Sequence, residues 1–294
     1  MHNKIKIQHY VPRFYLSNFA HKQKEEFIIN CFDKPKEKAF SVNIKKIGAE
    51  KYFYDSSFDK NQEIEKSLGR FESKFNIAYN KIIKNLSLSV LSQKEKISFA
   101  YFIATQEVRT KEFRELIKDS IRQLKKRLSN EKLSKELERQ IKEASTPNSI
   151  KSMHLKILIK DTPTFASILL NMKWILFINK TNLSCWTSDH PVNRYNPIDL
   201  TPYGNLGLLS PGIQIYFPLS YNLSLCICDP ILYSYLPEIY EITDKQNIIF
   251  LNHLQVKSST RHIFSINDDF SLAKRMVKDH PYLKDIDRKR IIVN

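Results

Sequence analysis

Apolar positions change their spacing near residue 173. Upstream they recur every three or four residues. Ile64, Leu68, Phe71, Phe75, Tyr79 and Ile82 form one stripe and predict a helix over 61–85, with Glu65 and Glu72 seven apart on a common face. Ser92 followed by Glu95 has the form of a capping box. From it a long helix is expected to run to about Leu128 on the stripe Ile97, Tyr101, Ala104, Val108, Ile117, Ile121, Leu124, Leu128. A charged helix over 131–143 follows, then a joint at Thr146-Pro147-Asn148 and helices over 149–160 and 163–172, the last with Pro163 in its first turn.

Downstream the apolar runs shorten, and Asn, Pro, Gly and Asp bound them, as they bound strands. Strands are expected at Lys173–Ile178, Leu183–Thr187, Ile213–Phe217 and Leu223–Cys228. A helix over 245–257, a strand over 262–266 and a helix over 270–278 come next, with a charged tail, Lys284 to Arg290, expected to fray. At the other end, residues 5–20 read as a strand or extended segment ending in a short helix, Pro12 holding Val11 extended. Phe27–Phe32 is a strand stopped by Asp33-Lys34-Pro35, and 39–55 is a short strand or an irregular connection. Helices first and strands later define an α+β fold, a helical first half packed on an antiparallel sheet formed mainly by the second. The extended start can pair with or lie against that sheet. The expectation is a single intertwined domain over 1–294, with a helical subregion at 61–145 and a sheet subregion at 173–266.

Composition narrows the function. The 294 residues suffice for a substantial core. Only 5 are glycine, and neither glycine-rich phosphate-loop pattern is present. Net charge is +16, of which residues 1–150 supply +12 (31 basic, 19 acidic) and residues 151–294 supply +4 (16 and 12). Such an excess favours a nucleic-acid partner, although lysine-rich composition can also be a genomic bias. A partner protein or a second copy is also compatible. The dense charge of 111–143 reads either as a solvated helical hairpin or as a basic docking arm. The four cysteines, Cys31, Cys185, Cys226 and Cys228, have no disulfide-scaffold spacing and read as buried thiols in a reducing compartment. No apolar leader follows Lys4 and Lys6, and no apolar run is long enough to span a bilayer. No membrane association is expected, and the location expected is cytoplasmic.

The chemistry-bearing residues fall in three blocks. His9-Tyr10-Val11-Pro12 opens an aromatic stretch reaching Ala20. Gln106 and Arg109 are helix-surface neighbours three apart. Thr187-Ser188-Asp189-His190-Pro191 leaves a strand end, because Pro191 cannot continue a central ladder. An aspartate beside a histidine can orient an imidazole or bind a cation, and Ser188 with Asp189 can equally cap a turn. His9, Asp189, His190 and Arg109 are therefore the catalytic candidates, and Gln106, Tyr10, Arg261 and Ser188 the substrate-binding ones. No cofactor motif appears. No metal is assigned, since neither H-E-x-x-H nor C-x-x-C is present; a divalent metal would need ligands assembled from distant segments.

These blocks resemble a widespread family, domain of unknown function 4238, over nearly the whole chain. The resemblance rests on His9, Tyr10, Val11, Pro12, Tyr15, Leu16 and Phe19 and on T-S-D-H-P-V. Weaker echoes are Glu50–Tyr54, Glu65, Glu72, Gln106 with Arg109, Phe217–Ser220, Asn252 and Arg261. The lysine-rich stretch 120–150 departs from the family pattern. The family carries no agreed activity; its members look like mobile bacterial and phage genes, compatible with defence or toxin roles. Two functions follow as expectations. One is a nucleic-acid phosphodiesterase, on RNA rather than DNA, with His9 or His190 moving protons, Asp189 orienting, Gln106 positioning the phosphate, and Arg109 and Arg261 stabilising phosphorane charge. The other is a non-catalytic nucleic-acid-binding or regulatory protein whose motifs are structural pins.

Overall fold

The computed structural model describes residues 4–200 and 204–290. β1 (Ile7–His9) and α1 (Arg13–Leu16) carry the N-terminal block. Val11, Tyr15, Leu16 and Phe19 are fully buried, so most of this motif is core. Tyr15 stacks on Phe217 at 5.1 Å and hydrogen-bonds Thr187 Oγ1 (2.7 Å) and the Pro218 carbonyl (2.8 Å). The N–H groups of Tyr10 and Val11 both donate to the Gly48 carbonyl. Gly48 has φ +66°, and a Cβ there would meet Val11 Cβ at 3.1 Å, so only glycine fits this close approach.

β2 (His21–Gln23), β3 (Glu26–Asp33) and β4 (Lys38–Asn43) form a meander, and β5 (Ala49–Lys51) pairs with β1. Helix α2 (Glu63–Asn85) buries Ile64, Leu68, Phe75, Tyr79 and Ile82 as the stripe predicts, but Phe71 is 39% exposed and stacks along Phe75 at 5.9 Å. The capping box at Ser92 opens α3 (Gln93–Val108). From Phe99 onward this helix is buried almost all round, through Phe99, Phe102, Ile103 and Gln106, whereas Ile97 on the expected stripe is 46% exposed.

The long helix expected to reach Leu128 is two helices. At Thr110 the backbone is extended (φ −82°, ψ 163°), and its hydroxyl accepts the Phe113 N–H to cap α4 (Lys111–Arg127). The cap competes with helix continuation, and the apolar stripe does not register it. α5 (Lys135–Ala144) buries none of its residues, as a solvated helix should, while α6 (Pro147–Lys160) and α7 (Thr162–Leu170) return to the core, α7 against α3.

β6 (Lys173–Asn179), β8 (Asn193–Tyr195), β9 (Gln214–Ser220), β10 (Leu223–Cys228) and β11 (Ile239–Ile242) make one sheet, in the order β11-β6-β10-β9-β8. β11 has no counterpart in the sequence reading and runs parallel to β6, whereas the other pairs of this sheet are antiparallel. Of the strand expected over 183–187 only β7 (Thr187–Ser188) forms. The preceding residues loop around Asn179, whose side chain bonds Thr181 and Leu183. A second sheet joins the two halves of the chain. β12 (His262–Ser265), which follows α8 (Lys245–Ser258), pairs with β3 on one edge and β7 on the other.

α9 (Ser271–Asp279) precedes the tail. The tail does not fray as far as residue 290. Arg288 donates to Glu112 Oε1 (2.8 Å) and to the Ser259 carbonyl (2.9 Å), and Arg290 grips both oxygens of Glu112 (2.8 and 3.0 Å). Glu112 is buried, and its charge is met by these two guanidiniums. All four cysteines are buried and free. Among the described residues no helix is long and apolar enough to cross a membrane.

Candidate functional site

The sequence candidates fall into two clusters, set back to back at the break between α3 and α4. In the first, Arg109 caps α3 and is 1% exposed. Its Nε donates to Tyr54 Oη (3.0 Å), Nη1 to Glu72 Oε1 (2.8 Å) and Nη2 to the His9 carbonyl (2.6 Å). One guanidinium thus ties β1, the segment after β5, α2 and the end of α3. Gln106, one helical turn back, donates to the Tyr10 carbonyl (3.0 Å), and its Oε1 is buried with no partner. Tyr10 itself is buried.

Two proton-transfer groups flank this bolt. Glu65 lies on the same α2 face as Glu72; burial, with Glu72 and Asp55 nearby and Arg109 opposing, raises its carboxyl to about 7. His9 is lowered from its ordinary value by burial and by Arg13 and Arg109, against Glu72 and a hydrogen bond to the Ile44 backbone. His9 Nε2 and Glu65 Oε2 are both shielded and bonded to nothing. Orphaned polar atoms of this kind are uncommon and costly in a folded protein, and they concentrate where a ligand completes the bonding. Arg13 is exposed beside His9. The sequence reading singles out His9 and Arg109, notes Glu65 and Glu72 as sharing a face and, with Tyr54, as weak family echoes without a role, and passes over Arg13. The available signal was a carboxylate, Glu65, between the stripe residues Ile64 and Leu68.

The second cluster holds the T-S-D-H-P block. Asp189 is 1% exposed, and its carboxylate accepts three backbone N–H groups, from Thr260 (2.8 Å), Arg261 (2.8 Å) and His262 (2.9 Å). Ser188 Oγ donates to Gln255 Oε1 (2.7 Å) and accepts the His190 N–H, while Gln255 Nε2 donates to the Pro191 carbonyl (2.9 Å). Asn252, a turn earlier on α8, bonds Trp186 N and the Ser184 carbonyl. Arg261 forms a two-bond fork with Asp33 (3.0 and 2.6 Å). These partnerships occupy Ser188, Asp189 and Arg261 in holding β7, β12 and β3 together, which differs from the orienting and phosphate-binding roles expected of them. His190 Nδ1 meets Thr110 Oγ1 at 2.7 Å, and Arg194 pairs with Glu107 at 2.6 Å. His190 too is lowered by burial.

The clusters touch through Thr110, the residue after Arg109, and through Tyr10, whose ring feels Asp189 and Arg261. The charges that weigh most on His9 are Arg13, Glu72 and Arg109; those on His190 are Glu112, Glu107, Asp189 and Arg194. The two histidines therefore work in different surroundings. Among the described residues no group of three or more His, Cys, Asp and Glu side chains is arranged to hold a metal ion.

The fold and site define an α+β protein with a buried arginine bolt and, each within its electrostatic reach, two unpartnered atoms, His9 Nε2 and Glu65 Oε2. The sequence profile of the family described as Protein of unknown function (DUF4238) matches residues 7–269, and the chain belongs to that family. No curated protein and no solved structure matches it.

Proposed function

We propose that the protein is an RNA phosphodiesterase that cleaves by internal transfer to the 2′-hydroxyl, with His9 as general base and Glu65 as general acid. The observation that carries this reading is the pair of unpartnered proton-transfer atoms, His9 Nε2 and Glu65 Oε2, beside one locked arginine. The protonation states match the roles. At mildly acidic pH a carboxyl raised to about 7 holds its proton, while a histidine lowered by burial has given its proton up more readily than an ordinary one. His9 Nε2 takes the 2′-hydroxyl proton, O2′ attacks phosphorus, the bond to O5′ breaks, and the Glu65 carboxyl protonates O5′. The products are a 2′,3′-cyclic phosphate and a 5′-hydroxyl. Arg13 faces the incoming phosphate, and Arg109 is a positioning residue. Entry of RNA requires the side chains that shield the two atoms to swing aside. The +16 net charge supplies the long-range attraction.

The test is cleavage of an end-labelled RNA and of its 2′-O-methyl counterpart by the full chain, with and without EDTA. RNA should be cut to a cyclic phosphate, and the methylated strand should survive. His9→Ala and Glu65→Gln should each lower the rate by about 10²–10⁴-fold. The rate should rise as His9 deprotonates, below its ordinary value near 6.5, and fall as Glu65 deprotonates near 7, giving a mildly acidic optimum. Cutting of the methylated strand, or full activity of both variants, would remove the mechanism.

Glu65 also makes a stability prediction. Its folded-state pKa lies above the unfolded value, so folding takes up a proton. That stabilisation is complete below the unfolded carboxyl range and is lost as pH rises through about 7. Glu65→Gln should therefore melt higher than wild type at pH 8 and show little difference at pH 5, while losing activity. Equal melting of the two proteins at pH 8 counts against the buried-acid assignment.

One observation favours a second reading, that the T-S-D-H-P block serves a nucleic-acid-binding or regulatory protein as a structural pin: the three backbone bonds to Asp189. A binder without chemistry would retain RNA with a steep loss of affinity on raising salt and leave the strand intact.

A further inference from the structure

The face of the β11-β6-β10-β9 sheet that α8 covers is incompletely filled. A cavity of about 290 Å³ remains between strands and helix. Its floor is buried and aliphatic: Ile175 on β6, Ile242 on β11 and Leu251 on α8. Its walls are four aromatic rings. Phe177 lies 5.8 Å from Tyr240 and 6.2 Å from Tyr216, and Tyr216 meets Phe250 edge-on at 5.9 Å and 82°. Tyr240 is 43% exposed, and with the exposed Asn247 it lies at the mouth. Protein interiors are close-packed, and an unfilled volume several times that of a water molecule, ringed by aromatic side chains, is the common form of a small-molecule pocket.

We infer that this cavity is a binding site for an uncharged, flat aromatic small molecule of two or three rings. The size follows from the volume. The lack of charge follows from the lining: none of the described residues that line the cavity is Asp, Glu, Lys, Arg or His, in a chain where 27% of residues are charged. A carboxylate or ammonium placed there would lose its hydration without a partner. The flat aromatic character follows from the rings, whose faces and edges suit a further ring in offset or edge-on contact. The site is distinct from the His9–Glu65 cluster and does not rest on the proposed activity. It has a route to the T-S-D-H-P block all the same. Asn247, Phe250 and Leu251, which line the cavity, share α8 with Asn252 and Gln255, which grip residues 184–191.

The test titrates the full chain with N-phenyl-1-naphthylamine, an uncharged probe that fluoresces on leaving water. Saturable one-to-one binding is expected. Indole should displace the probe, and benzoate, of similar size but charged, should not. Asn247→Trp blocks the mouth from an exposed position that puts no core contact at risk, and Tyr240→Ala removes a wall; each should weaken binding by about tenfold or more. Leu209→Ser, at an 80% exposed apolar residue outside the cavity, is the control for adhesion to surface apolar groups and should leave binding unchanged. Non-saturable binding, wild-type affinity in both pocket variants, or equal displacement by benzoate would overturn the assignment.

Discussion

Replacing Arg109 with methionine is expected to destabilise the protein by about 3–5 kcal/mol, the usual cost of removing one partner from a buried ion pair. The change strands Glu72 and leaves the Tyr54 hydroxyl and the His9 carbonyl with the longer bond between them (3.2 Å) in place of the bonds Arg109 now makes to each. Tyr54 is fully buried and pushed up to about 12, so it stays a neutral phenol. Thermal melting should fall by about 10 °C for a chain of this size. Arg109→Lys should not restore it, because a single ammonium cannot reach three acceptors spread around a planar fork. Melting of Arg109→Met within a degree or two of wild type would show that the guanidinium is not the bolt described.

Asp189→Ala should have an effect of similar size for a different reason. It leaves one buried and two partly buried N–H groups without an acceptor, and a buried orphaned donor costs about 1–3 kcal/mol. The loss falls where β7 and β12 meet, so amide exchange at Thr260–His262 should accelerate first. Asp189→Asn keeps one acceptor oxygen and should recover part of the loss. A stable Asp189→Ala protein with reduced RNA cleavage would reverse the assignment and return Asp189 to the chemistry.

These two residues show what the amino-acid order discloses. The α+β division was legible because spacing of three to four and short bounded runs are both local signals. The two motif blocks stood out because histidine, proline and aromatic residues seldom adjoin, and the structure gives much of that oddity a packing cause: Tyr15, Leu16 and Phe19 fill the core and Gly48 receives the turn. The interruption at Thr110 was hidden because its apolar neighbours keep helical spacing while one hydroxyl ends the helix. Gln255 for Ser188, Asp33 for Arg261, and Arg288 with Arg290 for Glu112 were out of reach. Each pair is separated by at least 67 residues, and no local pattern names a partner at that distance. Glu65 was within reach: a carboxylate between Ile64 and Leu68 sits at the edge of a buried stripe, where an acid must either find a cation or hold its proton.

The pairing of β3 with β12 has a consequence for synthesis. His9, Tyr54, Glu65, Glu72 and Arg109 all emerge within the first 109 residues, and their helices can form early. Asp33 and Phe32 nevertheless wait for His262 and Ile263, more than 200 residues later, before their strand gains this neighbour. Tyr15 likewise waits for Pro218, and Tyr79 for Leu219. A ribosome-bound chain halted midway would expose an open strand edge and unmatched tyrosine hydroxyls, making it a substrate for chaperones.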